Sequence, residues 1–196
     1  MLRFTLLFAM ALQTTSLFAE DETNRQEARK EFARLQKLAQ AGEEHAELKA
    51  LVGSWKVTMT MGENDVGFAG TAQAETILGD RFFVVDGEGL IGKRKSAFRY
   101  TIGFDRRHDE YIIIVMDTSG TYPVSARGKR GEGAIRMFGT DDDPNMKRMG
   151  LKKKFAIDLR IKGSDEFSIT THWIDTRTKE EKLRPAFTYH FSREDD

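Results

Sequence analysis

The spacing of apolar residues changes once along the chain, from the helical period of about 3.6 to the strand period of two. This change restricts the fold more than any other feature. From Gly53 onward, Trp55, Val57, Met59 and Met61 alternate with polar residues. Alternation with a period of two predicts a half-buried β-strand. Further β-rich runs follow, separated by turn signals, at about 67–78, 82–91, 96–104, 110–117, 121–128, 133–139, 153–161, 166–174 and 183–192.

About ten strands joined by short turns predict an antiparallel meander, and the lack of strand–helix–strand alternation argues against a parallel α/β fold. The two edges of so long a meander must be hidden, and closure into a barrel hides them. We therefore expect a mainly β fold, an up-and-down barrel over residues 52–193.

Residues 20–51 are expected to form a helical segment before the barrel. Thr23 and Gln26 make a capping-box pattern, and Phe32 and Leu35 then recur at helical spacing. A second short helix is expected after the weak point at Ala41–Gly42, carrying His45, Leu48 and Leu51.

Two of the strands are apolar on both faces, Phe82–Val85 and Tyr111–Met116. One face of each can line the barrel interior, so the other needs a cover. The apolar stripe of the N-terminal helix has no other obvious partner, and we expect this helix to pack outside the barrel on these strands.

The head of the chain has the plan of a secretory signal peptide. Arg3 precedes the apolar run Phe4–Leu12, and Ala19 supplies a small residue before an acidic segment. The run is shorter than the roughly 20 apolar residues that a membrane-spanning helix requires. We expect residues 1–19 to be removed near Ala19, which predicts an extracytoplasmic protein, periplasmic or secreted, with no integral membrane span.

Composition restricts the expected partners. The chain has 31 basic and 31 acidic residues, a balance that gives no long-range attraction to nucleic acid. It has no cysteine, so neither a disulfide framework nor a lipidated cysteine is expected. These features leave the oligomeric state open.

Sequence motifs for catalysis are lacking. No Gly-x-Ser-x-Gly elbow, P-loop or strand-following Gly-x-Gly-x-x-Gly occurs. The four histidines do not pair at metal-ligand spacing. We therefore predict no catalytic residue, no metal site and no cofactor. The stretch 140–152, acidic and then basic, is expected to be a solvated loop.

The motif Leu51-x-Gly53-x-Trp55 resembles the opening of lipocalin-type barrels. In those barrels the tryptophan closes one end, often beneath an arginine of the last strand. The resemblance implies that Arg193 is this partner here.

A longer resemblance covers most of the chain. The sequence resembles the bacterial family called domain of unknown function 1579, which implies a lipocalin-like barrel and no known reaction. The matching segments are His45-x-x-Leu48-x-x-Leu51-x-Gly53-x-Trp55, Ile77–Phe83, Gly103–Asp105 with Tyr111, Asp117-x-x-Gly120–Thr121 and Phe187–Tyr189. The chain departs from the family pattern at Asp80, Phe104 and Val115, where Gly, Tyr and Trp are usual.

Six residues are candidates for ligand binding: Trp55, Glu75, Arg81, Tyr100, Asp117 and Tyr189. The aromatic members could line a cavity or fill the core. Arg81 is expected to pair with Glu75 or Asp117 and lock strand ends, or else to anchor a ligand at a pocket mouth.

Three functions are compatible with these sequence features. The leading hypothesis is an exported barrel that binds or carries a small apolar ligand. The alternatives are a hydrolase- or isomerase-type enzyme using Asp117 or Glu75 at the barrel mouth, and a non-catalytic structural or interaction protein with a packed barrel. The state of the barrel interior, packed or empty, distinguishes them.

Overall fold

The computed structural model describes residue 22 and residues 24–62, 64–142, 144–148, 153–175 and 182–194. The predicted signal peptide and the predicted capping residue Thr23 lie outside the described residues. The chain divides into two compact units after residue 40. Within the described part, no helix is long and apolar enough to cross a membrane.

Helix α1 comprises residues 24–38 and belongs to the first unit. Phe32 and Leu35, which form its predicted apolar stripe, are 63% and 47% exposed. The docking of this helix on the barrel wall stays a prediction.

The second unit opens with helix α2, Glu43–Leu48, and a turn of 3-10 helix, Lys49–Leu51, as the sequence pattern predicted. The backbone N–H of Gly42 donates a hydrogen bond to Nδ1 of His45 at 3.1 Å, which fixes the start of the helix. His45, Leu48 and Leu51 are all buried, because this short segment packs into the barrel core.

Ten antiparallel strands follow and close into a barrel, in which each strand pairs with its sequence neighbours and β1 pairs with β10. The predicted fold is confirmed. The strands are β1 Gly53–Met61, β2 Asn64–Ile77, β3 Phe82–Ile91, β4 Arg94–Asp105, β5 Glu110–Asp117, β6 Val124–Gly131, β7 Ala134–Asp141, β8 Lys153–Lys162, β9 Glu166–Asp175 and β10 Lys182–Arg193.

Two stretches differ from the sequence-based expectation. Strand β6 begins at Val124 and not near 121, because Pro123 has no N–H to contribute to the sheet. The expected solvated loop over 140–152 is wrong in part: β7 continues to Asp141, helix α3 spans Pro144–Arg148, and β8 begins at Lys153. Proline suits the first turn of a helix, where its missing N–H would have had no partner.

Aromatic side chains fill much of the barrel interior. Alternate residues of each strand point inward, as the period of two predicted. Phe167 and Phe191 stack with their centroids 4.0 Å apart, and Phe98 lies 4.6 Å from Tyr189. The buried aromatic residues of the core are Trp55, Phe68, Phe83, Phe98, Tyr100, Tyr111, Phe155, Phe167, Tyr189 and Phe191.

Gly87 lets one of these rings pack directly against the backbone of β3. A Cβ atom at this position would collide with the ring of Phe98, which packs on the Gly87 backbone. Gly87 and Phe98 are also register partners on β3 and β4. The glycine therefore makes room for the ring.

The barrel end where β1 begins and β10 ends is closed by an arginine; we call it the closed end. The guanidinium carbon of Arg193 lies 4.0 Å from the ring centroid of Trp55, as the lipocalin resemblance implied. Its nitrogens donate hydrogen bonds to the carbonyl oxygens of Ala50, Val52 and Ser164. One side chain thus joins the helical turn, the start of β1 and the β8–β9 turn.

Asp105 organises the turn between β4 and β5. Its carboxylate accepts hydrogen bonds from the backbone and side chain of Arg107, and lies 2.9 Å from Nδ1 of His108. The hydrogen bonds from Arg107 hold the pKa of Asp105 well below its usual range, although burial opposes this shift. The carboxylate is only 6% exposed.

Replacing Arg193 with Met should remove the guanidinium from the face of Trp55 together with every hydrogen bond that it donates. We expect the free energy of unfolding to fall by about 2 kcal/mol, because several carbonyl groups lose a charged donor. Chemical denaturation measures the change. Lys56→Met, an exposed cation on β1, is the control and should change stability by less than about 0.5 kcal/mol. Equal effects of the two substitutions would contradict the role given to Arg193.

Gly87→Ala should destabilise the barrel by about 1–3 kcal/mol, since the ring of Phe98 must leave its position. Gly131→Ala is the matched control, because a Cβ there would meet the Ala134 oxygen at an ordinary 3.9 Å. Urea denaturation of both variants tests this. An unchanged midpoint for Gly87→Ala would show that the ring contact is not restrictive.

Asp105→Asn should lower stability at neutral pH by about 1–3 kcal/mol. A carboxyl with a depressed pKa stabilises the fold above its unfolded pKa, about 3.9, and this contribution is lost as the pH falls below that value. The difference between wild type and variant should therefore shrink on acidification below about pH 4. Denaturation at several pH values measures this stability difference. The control is Asp109→Asn, a substitution of an exposed aspartate. A difference independent of pH would refute the role of the ionised carboxylate.

Candidate functional site

A cavity of about 240 Å³ lies at the barrel end opposite the closed end. We call this cavity the mouth cavity. It forms where β5, β7 and β9 end and β6, β8 and β10 begin. Its lining residues are Val115, Asp117, Ser119, Gly120, Tyr122, Val124, Asp141, Lys153, Phe155, Ile157, Thr171, Trp173 and Phe187.

The walls of the mouth cavity are largely apolar because inward-facing positions carry the hydrophobic residues of each strand. Val115, Val124 and Phe187 are partly buried and pack against the core. Phe155 and Ile157 are fully buried on β8. A ligand in this space would contact side chains held mostly by hydrogen-bonded strands, together with Ser119, Gly120 and Tyr122 of the β5–β6 connection.

Below the mouth cavity, two tyrosines extend the aromatic core. The ring centroid of Tyr189 lies 6.0 Å from that of Phe187 and 6.3 Å from that of Tyr100. Burial raises the pKa of Tyr189 to about 12, and the charge of Asp117 adds to the shift. Burial, with the same carboxylate and Tyr189, also raises the pKa of Tyr100. Both phenols therefore remain neutral at physiological pH.

Three charged groups line the mouth cavity. Asp141 and Lys153 are register partners at the ends of β7 and β8, and Nζ of Lys153 lies 3.4 Å from Oδ2 of Asp141. The same Nζ lies 4.2 Å from the centroid of the Trp173 ring. Asp117 enters from β5, and its Oδ1 accepts hydrogen bonds from the backbone N–H and the hydroxyl of Ser119.

Of the six predicted ligand residues, the structure places Asp117 on this lining and puts Tyr100 and Tyr189 in the core below it. Trp55 lies at the closed end, where it is 1% exposed and its Nε1 donates to the Leu51 oxygen at 2.8 Å. It stabilises the closed end and does not line the mouth cavity.

Glu75 and Arg81 lie elsewhere. Glu75 is exposed on the outer face of β2. Arg81 lies in the turn just before β3, on the closed-end side, and its Nη1 donates to the oxygens of Leu78 and Gly79 in the same turn. Asp117 ends β5 at the mouth, so the expected Arg81–Asp117 pair is wrong, because the antiparallel order places the two at opposite ends of the barrel.

Asp80 belongs to the same turn as Arg81 and explains one departure from the family pattern. Its φ of 61° lies in the left-handed region that glycine favours and that aspartate tolerates better than most residues. Its carboxylate pairs with Nζ of Lys49 at 2.8 Å. The turn thus keeps the glycine-like conformation, and the side chain gains a partner.

Sequence reasoning missed Asp141, which fell in the stretch expected to be a solvated loop, and Lys153, which opened the strand predicted over 153–161 but was not placed on its inner face. The available signal was the alternation of the apolar residues Phe155, Ile157 and Leu159. Extending this period back by one step would have placed Lys153 on the inner face.

A larger depression, of about 650 Å³, lies on the outer wall of β2, β3 and β4. Its principal charged pair, Asp86 and Arg99, has side chains 45% and 54% exposed. Binding sites for small molecules enclose most of the ligand surface, so the mouth cavity is the better candidate.

A buried polar cluster on the outer wall joins β7, β8 and β9. Arg136 donates two hydrogen bonds of 2.7 Å to the carboxylate of Asp158, which is 1% exposed. His172 Nε2 lies 3.2 Å from the same carboxylate, and burial lowers the pKa of His172. The cluster ties three strands together, so a structural role accounts for it.

The described residues contain no group of three or more His, Asp or Glu side chains that could hold a metal ion.

Comparison with known proteins identifies a family and adds no activity. None of the curated proteins compared with the chain matches it. A family model described as "Protein of unknown function (DUF1579)" matches residues 40–192, which include α2 and nearly all of the barrel. The chain therefore belongs to the DUF1579 family of proteins of unknown function.

Proposed function

We propose that this protein is an exported binding protein that holds a small, largely apolar molecule in the mouth cavity. The observation that carries the proposal is the mouth cavity itself, with largely apolar walls and three charged side chains. Sites of this composition bind small molecules, with apolar walls giving affinity and a few polar groups giving orientation.

The size of the mouth cavity restricts the ligand. A cavity of about 150 Å³ accommodates a benzene-sized molecule, whereas drug-sized ligands occupy about 300–1,000 Å³. At about 240 Å³, the mouth cavity suits one ring with a short substituent. The packed aromatic residues beneath it leave no continuous channel for a long acyl chain.

Binding without chemistry is the better supported of the sequence-based alternatives. A catalytic acid or base would need a carboxylate enclosed with its substrate. Glu75 is exposed on the outer wall, and Asp117 is exposed at the rim with its Oδ1 engaged by Ser119. The more enclosed carboxylate, that of Asp141, is paired with Lys153. A purely structural barrel would not need the mouth cavity. Export rests on the signal-peptide pattern of residues 1–19.

Filling the mouth cavity tests the proposal. Val124→Phe places a ring on its wall, and Ser125→Phe places the same ring on the outer face of β6 as a matched control. We expect solvent extracts of the natively expressed, exported protein to contain a small molecule by mass spectrometry. Val124→Phe should lose at least about nine-tenths of it, and Ser125→Phe should retain it.

Intact-mass measurement of the same material tests export, since cleavage near Ala19 removes residues 1–19. Retention of those residues in the exported protein would contradict the signal-peptide hypothesis. Equal ligand content in Val124→Phe and wild type would contradict binding in the mouth cavity.

A further inference from the structure

The mouth cavity already holds an ammonium group, that of Lys153. Its Nζ lies 4.2 Å from the centre of the Trp173 ring and 3.4 Å from Oδ2 of Asp141. An aromatic face combined with a carboxylate is the arrangement that stabilises organic cations, since the ring quadrupole and the negative charge both attract positive charge. The lining therefore contains a cation subsite that a side chain of the protein occupies.

The two members of this ion pair differ in their access to water. The side chain of Asp141 is 10% exposed, whereas that of Lys153 is 31% exposed. Lysine has a flexible four-carbon stem, so its ammonium can move outward to solvent. Asp141 is held at the end of β7 and cannot follow. Departure of Lys153 would leave a buried carboxylate without compensation, which is unfavourable unless another cation replaces it.

The charge of the lining also disfavours an anion. Asp117 and Asp141 contribute two carboxylates against the single ammonium of Lys153. An anionic ligand placed on Lys153 would lie close to Asp141 and would be repelled by it, and such like-charge contacts cost several kcal/mol at interfaces. A cation that displaces Lys153 keeps Asp141 paired and leaves the charge of the lining unchanged, whereas an anion would make it more negative.

We infer that the mouth cavity binds a small organic cation, an ammonium group on a body of about one ring. The ammonium head takes the place of Lys153 Nζ between Trp173 and Asp141. The apolar body packs against Val124, Phe155 and Phe187. This inference rests on the proposed binding function and specifies the chemical class of its ligand.

Three matched probes test the inference: phenethylamine as the cation, phenethyl alcohol as the neutral analogue and phenylpropionate as the anion. Titration calorimetry of the exported protein at neutral pH measures each affinity. We expect phenethylamine to bind at least about tenfold more tightly than either of the others, since it alone can pair with Asp141.

Two substitutions change the subsite in opposite directions. Lys153→Met removes the competing ammonium and should increase phenethylamine affinity about tenfold. Asp141→Asn removes the counter-charge and should decrease that affinity at least about tenfold, with little effect on phenethyl alcohol. Glu88→Gln, which neutralises a carboxylate on the outer wall, is the control and should leave all three affinities unchanged. If Asp141→Asn does not fold, Trp173→Leu serves instead and should also weaken phenethylamine selectively.

The outcomes separate this inference from the proposed function. Tighter binding of phenylpropionate would make Lys153 the anchor, and equal binding of the three probes would show that charge is not recognised. Either result overturns the cation subsite while supporting a binding cavity. Binding of no probe to wild type or to Lys153→Met also overturns it. If in addition no ligand is extracted from the native protein, the proposed function fails too.

Discussion

The pairing of β1 with β10 is the contact on which the remaining structure depends. Register partners run from Trp55 with Arg193 to Thr60 with Thr188, so the first and last strands of the meander satisfy each other's backbone groups. Without this pairing, both edges would be left open to other chains. Closure also separates an inside from an outside, and every inward position becomes part of the core or of the mouth cavity.

Within the closed barrel, the two ends have different chemistry. At the closed end, Arg193 uses its planar guanidinium to cover Trp55 and to bind carbonyl oxygens of separate segments. At the mouth, the contacts of Lys153 with described residues are an ion pair with Asp141 and an aromatic contact with Trp173. Arginine in a network of hydrogen bonds is a fixed structural element, whereas a lysine with few contacts can be exchanged for a ligand. This contrast gives a physical reason for the proposed binding at one end and for the closure of the other.

The sequence predicted the barrel well, because its evidence is local. Three signals can be recognised without knowledge of distant contacts: alternation along each strand, turn residues and the Gly53-x-Trp55 motif. The sequence predicted the site poorly. Asp117 lies on the mouth cavity, but Glu75 and Arg81 do not. Which charges converge depends on strand direction and register, and neither can be read from the spacing of charges along the chain.

Asp141 and Lys153 show the limit of charge patterns most clearly. In the sequence they belong to a run of acidic and basic residues typical of a solvated loop. In the fold they are register partners facing the barrel interior, beside Trp173 from β9.

The amino-acid sequence by itself determined that the chain forms a closed, antiparallel barrel, because alternation and the need to hide strand edges leave few other solutions. Tertiary structure alone decided where the interior is packed and where it is open. That outcome depends on how large rings and glycines from different strands meet, such as Phe98 over Gly87, and such contacts exist only after the barrel has closed.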